Sequence, residues 1–224
     1  MDISELKVGV IGGTGEEGRG LALRWAMAGA QVMIGSRAVD RAREAAAELN
    51  HHLKGPVIQF GDNRAAVADS ELVLLTVPFA HAATTLAAHL GDFRPGAILV
   101  DITVPVSFEQ GRAVYVAPPE GSASEHLRAR LPEHIPIVAA FKTEPAHLLL
   151  DPQAALDCDS FAASDSKEAK ARVMEAIRFI AGLRPVDAGR LEAAATLERM
   201  TVMLIGINRR NKIKTGRFRV LGLP

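Results

Sequence analysis

The stretch that decides the fold of this chain runs from Lys7 to Arg41, KVGVIGGTGEEGRGLALRWAMAGAQVMIGSRAVDR. Its run Val8 to Ile11 is short and apolar, which is typical of a buried strand. A glycine-rich turn follows, and then an alanine-rich segment of helical composition that ends at Gly29. A second apolar run, Gln31 to Ile34, predicts the next strand. Strand, glycine turn, helix and strand in this order predict the first unit of a dinucleotide-binding fold.

The glycine turn fits the pattern G-x-G-x-x-G from Gly13 to Gly18. Gly13 permits the tight turn, Gly15 lets a pyrophosphate approach the backbone, and Gly18 lets the helix pack closely on the strand. The first N–H groups of the helix and its positive dipole end would then face the phosphates. Glu16 and Glu17 favour a helix start if their side chains point outward, and we expect that orientation. A turn that binds no ligand is the alternative. The clear strand pattern before the turn and the clear helix pattern after it argue against that alternative.

The end of the second strand indicates which dinucleotide binds. A site for NAD places an Asp or Glu there to accept a hydrogen bond from the ribose 2′-hydroxyl. This chain has Ser36 and Arg37 instead, with Arg41 on the same face of the following helix. A hydroxyl and two guanidinium groups suit a 2′-phosphate, which a carboxylate would repel. The nearest acid, Asp40, is expected to face solvent. A helix that simply begins with basic residues is the alternative. The position of these residues at the end of the second strand favours NADP over that alternative.

The rest of the chain continues to alternate between helical and strand patterns. The run LVLLTV from Leu72 to Val77 is continuously apolar, as expected of a strand buried on both faces. Other strands are predicted at Pro56 to Phe60, Ala97 to Ile102, Ile137 to Phe141, Phe161 to Ser164 and Arg184 to Asp187. Helices are predicted at Ala42 to Leu49, Arg64 to Asp69, Ala80 to Leu90, Ser166 (the cap) to Ala181, and Arg190 to Asn208. This alternation predicts an α/β fold with a Rossmann-like doubly wound parallel sheet.

Ligands of such sheets bind outside the carboxyl ends of the strands. Three loops are therefore expected at the site: Gly12 to Gly18, Thr76 to Phe79, and Asp101 to Val106. His81, just past the second loop, could contact the cofactor or donate a proton, although a His near a helix start is more often structural. Asp101 could instead tie its own loop through hydrogen bonds to backbone N–H groups.

Composition is that of an ordinary soluble enzyme. The 224 residues carry 26 Lys and Arg against 26 Asp and Glu, so no global field indicates nucleic acid as a partner. The one cysteine, Cys158, excludes an intramolecular disulfide and suits a reducing cytoplasm. It is expected to be a small buried hydrophobe and not a nucleophile. No apolar run approaches the length of a membrane span, and no signal region is expected at the N-terminus.

Several motifs together resemble the NADPH-dependent F420 reductases, which pass hydride between NADP and the deazaflavin coenzyme F420. They are GGTG-x-x-G-x-GLALR, GSR-x-x-x-R and VP-x-x-H, joined by Val104 to Ser107, Ala140 to Ala146 and Gly182 to Gly189. The similarity extends from about Val8 to the last long helix. It implies NADP(H) as cofactor and F420 as substrate. It also implies an NADP-binding domain at residues 1–141 and a smaller C-terminal α+β domain at 142–224 that closes the substrate cleft and ends in the long helix.

Two features depart from the family pattern. Lys142 and Glu144 replace the uncharged or His residues that are usual in the substrate loop. The segment Arg209 to Arg219 holds six basic residues and no acid; it could be a solvated tail or could hold the polyanionic tail of a deazaflavin. A reductase of flavin, quinone or ferric iron, and a non-catalytic NADP sensor, therefore remain alternatives.

Hydride transfer needs two rings held face to face in a dry slot, and no protein nucleophile or metal is required. Val77, Pro78, Val104, Pro105 and Ala146 would form that slot. The candidates for a chemical role are Lys142, which could stabilise charge on the reduced ring, and His81. The full predicted cofactor-binding set is Gly13, Thr14, Gly15, Glu16, Glu17, Gly18, Ser36, Arg37, Arg41, Thr76, Val77, Pro78, His81, Val104 and Ala146. The apolar side of the last helix predicts a homodimer, with core packing as the alternative.

Overall fold

A computed structural model describes residues 2–53, 55 and 57–223. The strands are β1 (Lys7–Ile11), β2 (Gln31–Gly35), β3 (Ile58–Gly61), β4 (Leu72–Leu75), β5 (Ile98–Asp101), β6 (Val106–Glu109), β7 (Arg112–Tyr115), β8 (Ile137–Ala139), β9 (Cys158–Ala163) and β10 (Leu183–Gly189). The helices are α1 (Glu16–Ala28), α2 (Val39–Asn50), α3 (Asn63–Ala68), α4 (Phe79–Ala87), α5 (Ala123–Arg128), α6 (Ala146–Leu150), α7 (Lys167–Arg178) and α8 (Ala194–Asn211). A 3₁₀ turn at Leu191–Ala193 leads into α8.

Eight strands form one sheet in the order β10-β9-β8-β5-β4-β1-β2-β3. All neighbours are parallel except β8 and β9, which pair antiparallel. From β1 the chain builds outward through β2 and β3 on one side, and from β4 through β5 and β8 on the other. The reversal between β1 and β4 is the switch point at which doubly wound sheets bind ligands. The predicted Rossmann-like sheet is confirmed.

The core lies on both faces of this sheet. Trp25 of α1 is fully buried, and its indole N–H donates to the carbonyl of Ala176 in α7 at 2.9 Å. Its ring meets Phe141 edge to face, with the centroids 5.2 Å apart. Helix α1 also lies so close to α6 that a Cβ added at Gly20 would be 2.5 Å from the Cβ of Leu149. This close approach explains a glycine in the middle of a helix.

One hairpin was missed by the sequence analysis. β6 and β7 pair antiparallel and lie in the chain between β5 and β8, which were both predicted. The strand at Ile137, the sixth predicted strand, is therefore the eighth strand of the structure. The hairpin is short and partly exposed, which weakens its apolar signal. Its turn residues Gln110 and Gly111 both have positive φ, 47° and 74°, as a two-residue hairpin turn requires. Gln-Gly gives a weaker turn signal than Asn-Gly or Asp-Gly.

The boundaries of the elements that were predicted agree with the structure to within a few residues, and helices α5 and α6 were not predicted. The predicted start of the third strand at Pro56 lies outside the described residues, and the described strand begins at Ile58. Ser166 caps α7, as predicted, because its hydroxyl accepts a hydrogen bond from the N–H of Ala169. Strands β9 and β10 extend the same sheet as β8. The division at residues 141 and 142 remains a prediction.

The basic C-terminal segment folds back along β9. The N–H of Asp159 donates to the carbonyl of Phe218 at 2.9 Å, and the N–H of Val220 donates to the Asp159 carboxylate at 2.6 Å. Two of the predicted basic residues, Arg217 and Arg219, contact Asp157. Part of the segment is therefore structural. Within the described part of the chain, no helix is both long and apolar enough to cross a membrane.

Candidate functional site

A cleft with a volume of about 900 Å³ opens at the carboxyl ends of β1, β2, β4, β5 and β8. Most of the predicted site residues line it: Thr14, Gly15, Glu17, Ser36, Arg37, Arg41, Thr76, Val77, Pro78, His81, Val104 and Lys142. Gly13, Glu16, Gly18 and Ala146 are not among its lining residues. Loops that are far apart in sequence therefore meet at one surface, as the sheet order requires.

The glycine turn is built as its spacing predicts. The N–H of Gly13 donates to the carbonyl of Gly35 at 3.0 Å, which joins the turn to β2. A Cβ at Gly18 would be 2.8 Å from the Thr76 hydroxyl and 3.1 Å from the Cα of Gly13. A Cβ at Gly15 would meet no protein atom within 4 Å, since this residue faces the cleft. Gly15 also precedes α1 without a side-chain cap, which leaves the first N–H groups of the helix available to an anion.

The end of the cleft at β2 carries hydroxyl and guanidinium groups. Ser36 is buried, and its hydroxyl accepts a hydrogen bond from the N–H of Ala38 at 3.2 Å. Arg37 and Arg41 are exposed and line the same end. Asp40 is exposed and paired with Arg43 at 2.7 Å, so this acid faces solvent as expected. A ribose 2′-hydroxyl carries no charge and would leave both cleft arginines without an anion. A 2′-phosphate would form ion pairs with them.

Asn63 was not predicted, although it lines the cleft beside this end. Its side-chain oxygen accepts a hydrogen bond from the N–H of Gly12 at 3.2 Å, and Gly12 has a φ of +70°. The residue begins α3, where Asp62 is the cap and gives the stronger sequence signal. Asn63 thus braces the glycine turn from a helix that carries no recognisable motif.

The opposite end of the cleft is apolar. Val77, Pro78 and Val104 line it, as predicted, and are joined by Ile102 and Phe141. Phe141 has a φ of +52°, an uncommon conformation for an aromatic residue, and packs behind the cleft against Trp25. Of the predicted slot residues, Pro105 and Ala146 do not line the cleft. An apolar wall of this kind suits flat rings and excludes water.

The ammonium of Lys142 is turned into the protein. It lies 2.9 Å from an oxygen of Asp101, 2.6 Å from the carbonyl of Thr103 and 3.3 Å from an oxygen of Glu198. The Lys142 side chain is 1% exposed and both carboxylates are completely buried. Asp101 also accepts a hydrogen bond from the N–H of Thr103 at 2.9 Å, so it ties its own loop as predicted. In this arrangement Lys142 neutralises two buried acids behind the cleft wall.

Glu198 connects this cluster to the hairpin and to α5. One of its oxygens accepts hydrogen bonds from the Tyr115 hydroxyl at 2.8 Å and from the N–H of Ala123 at 3.1 Å. Burial raises the pKa of Glu198, although the nearby Lys142 acts in the opposite direction. The guanidinium of Arg199 lies 4.6 Å from the centre of the Tyr115 ring. Sequence reasoning missed Glu198. The only hint in the sequence is that a single acid lies beside the apolar side of the last helix.

Glu17 corrects the expected orientation of the helix start. Glu16 is exposed, but Glu17 turns into the cleft, where one of its oxygens is buried without a hydrogen-bond partner among the described residues. Glu144, also in the cleft wall, has one such oxygen too. Burial raises the pKa of Glu144 to about 7. Burial, then the Glu144 charge, then the Glu16 charge raise the pKa of Glu17 well above its usual value.

Comparison with known proteins agrees with this site. Residues 7–105 match the family model described as NADP oxidoreductase, coenzyme F420-dependent. An F420-dependent NADP reductase of Methanothermobacter thermautotrophicus is 38% identical over 100% of this chain and 98% of its own length. One from Methanocaldococcus jannaschii is 33% identical over 97% of this chain and 99% of that relative.

The chain belongs to the F420-dependent NADP reductase family. A crystal structure of a putative F420-dependent NADP reductase from Arthrobacter sp. FB24 shares the fold, with a TM-score of 0.80 at 24% identity over 96% of this chain and 99% of that one. The F420-dependent NADP reductase relatives match well beyond residue 105, so the likeness includes the loop of Lys142 and helix α8.

Proposed function

We propose that this protein is an oxidoreductase that transfers a hydride between NADP(H) and the deazaflavin coenzyme F420. The observation that carries the proposal is one continuous cleft with an arginine-rich end, a glycine turn in the middle and an apolar end. This order matches the order of groups along NADPH: 2′-phosphate, pyrophosphate and nicotinamide. The names of the full-length relatives support F420 as the second substrate.

The protein's contribution is binding and orientation. Arg37 and Arg41 fix the phosphate end, and the N–H groups at the start of α1 receive the pyrophosphate. Val77, Pro78 and Val104 then hold the nicotinamide against a second flat ring and keep water out. NADPH, when bound, supplies the hydride, and the deazaflavin takes up that hydride and a proton as NADP⁺ forms. His81 lines the cleft but is exposed, so a role in this proton transfer remains a prediction.

The test is stopped-flow absorbance of the enzyme mixed with NADPH and oxidised F420, with FMN as a parallel acceptor. We expect loss of the deazaflavin band that matches the oxidation of NADPH in amount and in rate. Loss with FMN alone would move the assignment to a flavin reductase. Tight NADPH binding with no reduction of either acceptor would contradict catalysis and favour a sensor.

We also propose that the enzyme is a homodimer. Most of the apolar side of α8 packs inward, with Leu197 and Leu204 buried, but Met203 remains 49% exposed. Phe108 and Val116, at the hairpin that packs on α8, are 68% and 51% exposed. Exposed large apolar side chains favour contact with a second copy. The cytoplasmic location predicted from the single cysteine stays a prediction as well.

Sedimentation velocity at micromolar concentration measures this state directly. We expect a dimer for the unaltered chain and a shift towards monomer for the double variant Phe108→Glu, Met203→Glu. Helix content by circular dichroism should not change in the variant, because both side chains are exposed. A monomer before substitution would contradict the proposal.

A further inference from the structure

Two carboxyl groups in the cleft have no role in the function proposed above. Glu17 is the second residue of α1, and Glu144 lies in the loop after β8. Both line the cleft and the charge of Glu144 acts on Glu17, although the two are 127 positions apart in sequence. Glu144 is 8% exposed. Each residue has one oxygen that is shielded from solvent and has no hydrogen-bond partner among the described residues. Buried polar atoms are ordinarily paired, so two unpaired carboxyl oxygens, both on residues that line one cleft, point to a ligand that completes them.

Among the described residues, no cation acts on the pair to hold both carboxyls ionised. The groups that face it are Glu16 from α1, and Ser160 and Cys158 from β9. Burial, and then the Glu144 charge, raise the pKa of the Cys158 thiol to about 12, so this thiol is neutral. The ammonium of Lys142 is directed towards Asp101 and Glu198 instead. Two like charges in such a place repel each other, which favours a state near neutral pH in which one of the two carboxyls is protonated.

We propose that Glu17 and Glu144 form a subsite for an amide or imide edge, an N–H beside a C=O, on a ring bound in the cleft. A pair with one proton presents a donor next to an acceptor, which is complementary to such an edge. The proposal rests on the function above, which supplies two rings of this chemistry: the carboxamide of nicotinamide and the pyrimidine edge of the deazaflavin. An apolar side chain at position 144 would offer these edges neither a donor nor an acceptor, so Glu144 is a specificity-determining residue of this chain.

The experiment compares Glu144→Leu and Glu144→Gln with the control Glu44→Gln. Glu44 is an exposed acid on α2 and is not among the cleft-lining residues. Three quantities are measured for each: the dissociation constant of NADPH, the KM for F420, and the dissociation constant of adenosine 2′,5′-bisphosphate. The last probe carries the 2′-phosphate and no ring of the proposed kind, so it reports only on the arginine end of the cleft.

Glu144→Leu is expected to weaken either NADPH or F420 by about tenfold, because the ring's amide groups lose their partners. Adenosine 2′,5′-bisphosphate should bind as before, and the ligand that weakens identifies which ring occupies the subsite. Glu144→Gln retains a donor beside an acceptor, so it should stay within about threefold of the unaltered enzyme at pH 6.5. Between pH 6.5 and 8.5 the unaltered enzyme should lose affinity for that ligand as Glu144, whose pKa burial raises to about 7, loses its proton, and Glu144→Gln should not.

Two results would overturn the subsite. One is that Glu144→Leu behaves like Glu44→Gln towards both NADPH and F420. The other is an equal loss for adenosine 2′,5′-bisphosphate, which would indicate general damage to the cleft. If the unaltered protein does not reduce F420, the proposed function is wrong. The subsite is then tested by the dissociation constant of NADPH alone.

Discussion

Replacing Arg37 with alanine is expected to raise the dissociation constant of NADPH by about 10- to 100-fold and to leave that of NADH nearly unchanged. Arg37 lines the end of the cleft that follows β2, and within the described part of the chain no carboxylate forms an ion pair with it. The two dinucleotides differ only in the 2′-phosphate, so a residue that binds this group changes one affinity and not the other. The preference for NADPH should therefore narrow.

Fluorescence titration of the reduced dinucleotides measures both constants. Because Arg37 is exposed, the NADPH affinity of the unaltered enzyme should also fall as salt is raised, and the variant should depend on salt less steeply. Arg43→Ala is the matched control: it removes a cation from the same helix, but one that pairs with Asp40 outside the cleft. Unaltered NADPH affinity in Arg37→Ala would show that the 2′-phosphate binds elsewhere.

Replacing Lys142 with methionine is expected to lower the free energy of unfolding by about 3 to 5 kcal/mol at pH 7. Methionine keeps the length of the side chain and removes its charge. Asp101 and Glu198, both completely buried, would then have no cation between them. The loss should be smaller at pH 5, because burial already raises the pKa of Glu198 and a neutral acid costs less to bury.

Urea unfolding at the two pH values measures the effect. Lys170→Met is a suitable control, since the Lys170 ammonium also bonds one carboxylate, that of Asp187, and one carbonyl, that of Gly189. The Asp187 side chain is 54% exposed, so water replaces the lost partner and the expected effect is below about 1 kcal/mol. Equal effects of the two substitutions would contradict a special role for the buried cluster. Affinity for adenosine 2′,5′-bisphosphate should persist in folded Lys142→Met, because the arginine end is untouched.

Local signals in the sequence predicted several residues that line the cleft at its proposed cofactor half, and their binding of the cofactor stays a prediction. Gly15 and Gly18 occupy positions whose geometry follows from a short motif, and Ser36 and Arg37 follow a strand whose end is easy to place. Each of these inferences needs only neighbours in the chain. Asp101 is similar, because the hydrogen bond that it accepts comes from Thr103, two residues away.

The parts that were missed depend on distant residues. Glu17 was expected to face outward because a first-turn acid usually does, and only the approach of the loop at Glu144 shows otherwise. The role of Lys142 depends on Glu198, 56 positions later on another helix. The hairpin at Gln110 lacked strong turn chemistry. Such contacts arise from the sheet order, which periodicity alone does not determine.

The packing of Trp25 has an optical consequence. It is the single tryptophan of the chain, it is fully buried, and it touches Phe141, whose other side faces the cleft. The tryptophan emission of the protein therefore comes from one indole in an apolar environment, separated from the cleft by one aromatic ring. Reduced nicotinamide absorbs in the region where such an indole emits, so excitation energy can pass from Trp25 to the cofactor. Binding of the cofactor can therefore be followed through energy transfer from Trp25, without an added fluorescent label.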